Sequence, residues 1–331
     1  MLPHVRIIST GGTILSEGAH DDQLDGYALS GLSAESLLAG LPSLQGHVNV
    51  SVDSPVHIDS SAMTSEAWKK IIRSVEAAVH DPDVNGIVLM HGTDTLEETA
   101  FMLTLLFAPE KPIVMTGAMR PASALSADGP MNLYNAIKVA LHERAPLGVS
   151  VLINDELFPG HSITKAHPTL VNAFTSPTGQ KVGLMAAGEF VPNGDLQSPL
   201  TGMFSAHRER CLNAPVWARV PVVTSHVDDD GALIDALVAA KVPGFVYAGT
   251  GNGSVHEGAK ASLLKAQAAG IIGIRASRVA RGVVTPGNTL GQETGLLCAG
   301  PLTPWQARTF LQIALTSGVT RARLEQLINA R

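Results

Sequence analysis

Short apolar runs separated by helical patterns recur almost from one end of the chain to the other, and this alternation restricts its fold more than any other feature. Runs at Val5–Ser9, Val48–Val52, Gly86–Met90, Pro112–Met115 and Val149–Ile153 read as strands, as do Val182–Met185, Val220–Thr224, Gly244–Tyr247 and Ile271–Ile274. Between them lie amphipathic stretches. In Thr64–His80 the residues Trp68, Ile71, Ile72, Val75, Ala78 and Val79 fall at helical spacing before Asp81-Pro82 ends the pattern. Lys69, Lys70, Arg73 and Glu76 on its other face read as solvated surface. The expectation is an α/β fold with a mainly parallel sheet flanked by helices.

At 331 residues the chain is long enough for two domains at roughly 150 residues each. The weakest pattern, around Pro192-Asn193-Gly194, is the best linker. We therefore expect a larger N-terminal α/β domain at 1–190, a linker at 191–213 and a smaller C-terminal α/β domain at 214–331. Its last long helix should start at Thr303-Pro304-Trp305-Gln306, which has capping-box spacing with Pro at the first helical position, and stop at Gly318.

Composition narrows the partners. A net charge of −6 with no run of Lys or Arg lacks the footprint of a nucleic-acid binder. The longest strongly apolar stretch, Ala100–Pro109, is far short of the ~20 residues of a membrane span. Cys211 and Cys298 stand outside any CxxC arrangement and read as ordinary buried or half-buried thiols. Twelve scattered histidines with no HExxH give no metal site, and no cofactor is expected. Met1-Leu2-Pro3-His4 leads straight into a strand-like run, unlike a signal peptide, so a cytoplasmic location is expected. A small molecule is the expected partner.

In open α/β sheets ligands bind beyond the carboxyl ends of the strands, and three loops fit that place. Thr10-Gly11-Gly12-Thr13 follows the first strand; its glycines permit close approach to the main chain, although such turns also occur for purely local reasons. His91-Gly92-Thr93-Asp94-Thr95 follows Gly86–Met90. Thr95 and Glu98 have capping-box spacing, which explains Thr95 but neither Thr93 nor Asp94. Thr116-Gly117-Ala118-Met119-Arg120-Pro121 runs on through Asp128, which is expected to pair with Arg120. Lys165 lies beyond Val149–Ile153 and would be plain surface without such company. A threonine hydroxyl needs a base before it can act as a nucleophile. Thr93, Lys165 and Asp94 could form such a set, with oxyanion donors from glycine-rich backbone and helix N-termini. Together these groups suggest hydrolysis of a small amide or ester.

Ser9-Thr10-Gly11-Gly12-Thr13-Ile14 and His91-Gly92-Thr93-Asp94-Thr95-Leu96-Glu97-Glu98-Thr99-Ala100 resemble the two signature motifs of the bacterial L-asparaginases. Gly117–Pro121, Ser126–Pro130, Thr164-Lys165, Gly249–Gly253 and Arg275–Val279 extend the resemblance over essentially the whole chain. It implies hydrolysis of L-asparagine to L-aspartate and ammonia through a β-aspartyl ester on Thr13. Tyr27 matches a tyrosine on a mobile loop, for which Glu17–Gly26 looks suitably flexible. Thr93, Asp94 and Lys165 match the second catalytic set, and Asp94 would also bind the α-amino group. Ser60 matches the contact to the α-carboxylate, with Ser61 beside it where many homologues carry Gln or Glu. The backbone of Ala118 would help hold the amide end. The resemblance further implies a homotetramer of close dimers, in which Asn252 serves a neighbour's site. A second neighbour residue, a carboxylate, is missing from Thr285-Pro286-Gly287-Asn288-Thr289, and Glu293 lies a few residues too late.

Three other readings compete. A broader glutaminase-asparaginase would use the same groups on L-glutamine. A non-catalytic amino-acid-binding protein would use the same loops without turnover. A dinucleotide-binding oxidoreductase is suggested by Gly249-x-Gly251-x-Gly253, but that run has the wrong spacing and sits deep in the second half.

Overall fold

The computed structural model describes residues 2–329, and the chain divides after Gly202 into two compact units. The first contains strands β1 (His4–Ser9), β2 (Ser16–Glu17), β3 (Ala28–Leu29), β4 (Asn49–Asp53), β5 (Gly86–Met90), β6 (Pro112–Thr116), β7 (Gly148–Ile153), β8 (Glu156–Pro159), β9 (Thr164–Lys165), β10 (Phe174–Thr175), β11 (Gly183–Ala186) and β12 (Glu189–Pro192). Its helices are α1 (Ala34–Ala39), α2 (Ser65–His80), α3 (Leu96–Leu106) and α4 (Gly129–Leu141).

Eight strands form one sheet in the order β12-β11-β8-β7-β6-β5-β1-β4. Every residue of β5, β6 and β7 is buried. That is why these segments read as continuous apolar runs: both faces of a parallel sheet are covered. Pairing is parallel from β4 to β7. Beyond β7 it turns antiparallel through β8, β11 and β12. Asn154 and Asp155 at φ of 50° and 63° make the two-residue turn between β7 and β8, the left-handed geometry that tight hairpins require.

Helix α2 is capped by the Thr64 side chain, which accepts from the Ala67 N–H, and it buries Ile71, Ile72 and Val75 completely. Lys69 departs from the solvated-face expectation. It is only 6% exposed, and its Nζ reaches Glu66 Oε1 at 2.7 Å. Its aliphatic stem covers apolar surface while the ammonium finds a carboxylate.

The order of strands locates the site. β1 lies between β4 and β5, so the chain leaves β1 to one side and later returns to continue on the other. At such a reversal the loops after the two adjacent strands diverge and open a crevice. Ser9 is registered with Met90, and Met90 with Thr116. The three expected loops therefore start level with one another.

The stretch 191–213 is not bare linker; it holds the end of β12 and helix α5 (Arg208–Asn213). The second unit continues with β13 (Val222–Thr224), α6 (Ala232–Ala239), β14 (Gly244–Gly249), α7 (Lys260–Ala268), β15 (Ile272–Ser277), α8 (Thr289–Glu293), β16 (Leu297–Cys298), α9 (Pro304–Thr316) and α10 (Arg321–Asn329). Its four strands form a parallel sheet in chain order. Helix α9 carries the expected capping box, with Thr303 and Gln306 bonded reciprocally, and Gly318 at φ 73° follows its end. Cys211 is buried and Cys298 half-buried, both as free thiols.

Candidate active site

Thr10 ties the end of β1 to its neighbour, its N–H and hydroxyl both donating to the Met90 carbonyl at 3.0 and 2.9 Å. Gly11 and Gly12 follow at φ of +101° and +89°. A Cβ on Gly12 would lie 2.3 Å from Gly92 Cα. Only glycine meets both the dihedral and the contact. The turn delivers Thr13 to the start of the 3-10 turn Thr13–Leu15, with Ile14 and Leu15 buried behind it. Thr13 Oγ1 lies 3.1 Å from the Tyr27 hydroxyl. Tyr27 immediately precedes β3, which pairs with β2. Expected to be flexible, the segment Glu17–Gly26 is the connection of this small hairpin, and the Leu125 N–H donates to the Asp21 carbonyl at 2.9 Å.

The second loop carries Thr93, 4% exposed, and the exposed Asp94. Lys165 Nζ donates to Thr93 Oγ1 at 2.9 Å and to Asp94 Oδ1 at 2.6 Å. Beyond β7, Lys165 sits on β9, paired with Phe174 of β10. The ammonium faces a hydroxyl and a carboxylate at once. Such a line can pass a proton between Thr93 and Nζ while Asp94 offsets charge on the nitrogen.

Ser60, 3% exposed, accepts the Asp94 N–H on its Oγ at 3.1 Å and the Thr95 hydroxyl on its carbonyl at 2.8 Å. This corrects the capping expectation: Thr95 makes no side-chain cap, and its hydroxyl is turned to donate to the Ser60 carbonyl. Ser61 is exposed, and its hydroxyl and N–H both donate to Asp59 Oδ1.

In the third loop Ala118 is 1% exposed. A Cβ on Gly117 would lie 2.4 Å from the His91 carbonyl oxygen, so backbone meets backbone here too. The expected Arg120–Asp128 ion pair does not form. Asp128 accepts the backbone N–H groups of Met119 and Arg120 at 3.0 and 2.9 Å, and the Arg120 guanidinium donates to the Ser126 carbonyl. Main-chain donors held close to a carboxylate outcompete a flexible side chain.

In the second unit Asn252 is exposed and doubly bonded to Thr285. Its Nδ2 donates to Thr285 Oγ1 at 2.6 Å, and its Oδ1 accepts the Thr285 N–H at 2.9 Å. Buried Arg275 donates to the carbonyls of Asn252 and Thr285 and fixes both loops. Glu293 pairs with Lys260 at 2.8 Å.

Two buried groups near the crevice escaped the sequence reading. Glu97 faces Thr164 and Lys165, and burial pushes its carboxyl up to about 7. Its signal was a carboxylate in a helix otherwise buried almost throughout. His91 is fully buried, with Nδ1 at 2.7 Å from the Gly92 carbonyl and Nε2 at 2.9 Å from Thr99 Oγ1. The carbonyl can only accept, so Nδ1 carries the proton. Trp68 Nε1 donates to Thr99 Oγ1, leaving that hydroxyl to donate to Nε2.

Burial lowers the His91 pKa from 6.5 to about 4, against the raising effect of the Gly92 carbonyl. The native state thus binds fewer protons than the unfolded chain between these values. Its stabilising contribution is complete above pH 6.5 and is lost as pH falls through 4. Glu97 acts with the opposite sign from pH 7 down to 4.5, so a difference measurement is needed. In denaturant unfolding, the stability gap between the wild type and His91→Asn should narrow by about 3 kcal/mol from pH 6.5 to 4. A gap independent of pH contradicts the neutral assignment.

Among the described residues no helix is long and apolar enough to cross a membrane. No group of three or more His, Cys, Asp or Glu side chains there could hold a metal ion.

Residues 4–196 match the family described as "Asparaginase, N-terminal", and residues 219–328 match "Glutaminase/Asparaginase C-terminal domain". The chain is 34% identical to L-asparaginase 2 of Bacillus subtilis, over 99% of this chain and 86% of that protein. It is 34% identical to a probable periplasmic L-asparaginase of Haemophilus influenzae, over 95% and 89%. A crystal structure of a probable cytoplasmic L-asparaginase from Campylobacter jejuni superposes with a TM-score of 0.90 at 30% identity, covering 99% of this chain and all of that one.

Proposed function

The chain belongs to the asparaginase family, and from that premise we propose that it hydrolyses the side-chain amide of L-asparagine to L-aspartate and ammonia through an ester on Thr13. Thr13 Oγ1 attacks the amide carbon, its proton passes to the amide nitrogen, and ammonia leaves. Water then attacks the ester carbonyl and returns one proton to Oγ1, which frees aspartate and restores the hydroxyl. These transfers need carriers. The Tyr27 hydroxyl at 3.1 Å serves Thr13. Thr93 relays a proton to Lys165, and Asp94 compensates the charge that forms on Nζ. The unbroken Thr93–Lys165–Asp94 line, in a loop packed against the Thr13 turn through Gly12 and Gly92, is the observation that carries this reading.

Asp94 further takes the α-amino group, Ser60 the α-carboxylate with Ser61 beside it, and the Ala118 backbone the amide end. N–H groups at the start of the Thr13–Leu15 turn supply the oxyanion donors. The working assembly in this reading is a homotetramer of close dimers, with Asn252 of one copy supplied to another. Thr285–Thr289 brings no carboxylate, which supports a weaker hold on the α-amino group and, as the second reading, turnover of L-glutamine as well. A cytoplasmic location is the companion reading, supported by the name of the Campylobacter jejuni neighbour.

Ammonia release from L-asparagine, L-glutamine and D-asparagine, followed over a dilution series, tests the whole reading. Fastest release from L-asparagine, lost on dilution to monomers, is the expected result. Saturable binding of all three without ammonia would make the protein an amino-acid-binding module.

A further inference from the structure

We propose that Glu97 is a positioning residue for Lys165, its buried carboxylate anchoring the lysine's main chain so that Nζ reaches Thr93 and Asp94. The proposal rests on the reading of Lys165 as a proton carrier. Strand β9 has only two residues and pairs with only two of β10, too short a ladder to fix a long side chain by itself. The Ala166 N–H adds one bond to the Ala173 carbonyl at 2.7 Å, and Glu97 supplies an attachment from outside this hairpin. Its Oε2 accepts the Lys165 N–H at 3.2 Å, and its carboxylate also bonds the Thr164 hydroxyl.

Glu97 lies in the first turn of α3, the helix whose preceding loop presents Thr93 and Asp94. One rigid element thus holds both ends of the lysine, its backbone through Glu97 and its ammonium through the loop. A carboxylate only 7% exposed is costly unless its acceptor capacity is used, and the Thr164-Lys165 segment uses it.

The charge state of Glu97 follows from what surrounds it. Burial raises its pKa to about 7; the Thr164 hydroxyl bond lowers it, the neighbouring Glu98 raises it, and the Lys165 N–H and charge lower it. Asp94 is already engaged by the Lys165 ammonium. Above pH 7 the ionised carboxylate accepts more strongly and the anchor tightens; below it the protonated group holds Lys165 more loosely.

Two variants of the full chain and two readouts test this. Glu97→Ala should lower kcat for ammonia release from L-asparagine by about 100-fold, with KM changed by less than about threefold. Glu97→Gln keeps an acceptor oxygen and should recover at least about tenfold of that loss. The second readout needs no substrate: the Lys165 side-chain signal in NMR spectra of lysine-labelled protein, assigned with Lys165→Met. In the wild type it should show a chemical-shift step near pH 7, and in Glu97→Gln that step should vanish. Wild-type kcat in Glu97→Ala, or an unchanged step in Glu97→Gln, overturns the proposal. If Glu97→Ala does not fold, the Glu97→Gln step decides alone. A wild type that releases no ammonia, with a step that disappears in Glu97→Gln, would sink the asparaginase reading and support the anchor.

Discussion

Thr13→Ala is expected to lower kcat on L-asparagine by at least about 10⁴-fold, equivalent to about 5 kcal/mol of lost transition-state stabilisation. The large size follows from the role: without Oγ1 no ester forms, and the two-step route is closed. Stability should change little. Thr13 is half-buried, Tyr27 is the hydrogen-bond partner of its hydroxyl in the structure, and the apolar Ile14 and Leu15 behind it are untouched. One such bond contributes about 1 kcal/mol, so the unfolding midpoint should stay close to that of the wild type. Thr13→Ser, which keeps an oxygen at the same place, should retain far more activity than the alanine variant. Near-normal turnover in Thr13→Ala removes the nucleophile assignment and moves the chemistry elsewhere in the crevice.

Lys165→Met is the second large effect. Methionine preserves much of the side-chain length but neither donates to Thr93 and Asp94 nor accepts a proton. Proton transfer by a positioned side chain contributes about 10²- to 10⁴-fold, and a loss in that range is expected in kcat. Removing Nζ also leaves Asp94 without its partner at 2.6 Å, but that carboxylate is exposed and water replaces the ammonium. The fold should therefore survive. The split between parameters is decisive: a fall in kcat assigns Lys165 to proton movement, whereas a rise in KM alone makes it a binding residue.

Much of this arrangement was legible in the chain. The apolar runs Gly86–Met90 and Pro112–Met115 announced a covered parallel sheet, and the three loops after strand ends were visible from where these runs stop. What escaped had other causes. The β7–β8 hairpin turns on Asn154 and Asp155, whose left-handed backbone leaves only a weak mark in residue type. Thr95 was assigned a local partner by spacing, yet its hydroxyl donates to the distant Ser60 carbonyl; Asp128 stays within its own loop but takes the main-chain N–H groups of Met119 and Arg120 in place of the guanidinium. Glu97 meets Lys165 across 68 positions of sequence, a distance over which periodicity carries no information. Local rules read elements well and long-range polar pairing poorly.

The contacts among the loop glycines set what mutation can reach. The space a side chain would need at Gly11, Gly12, Gly92 and Gly117 is already filled by Ile58, Gly92, Ser60 and His91 respectively. Every amino-acid change at these positions adds at least one carbon where none fits, so the wall they form is closed to gradual tuning. In the proposed reading, changes in substrate range come through the side chains it assigns to substrate, Ser60, Ser61 and Asn252. A library aimed at altered amide preference should spend its diversity there and leave the four glycines unvaried.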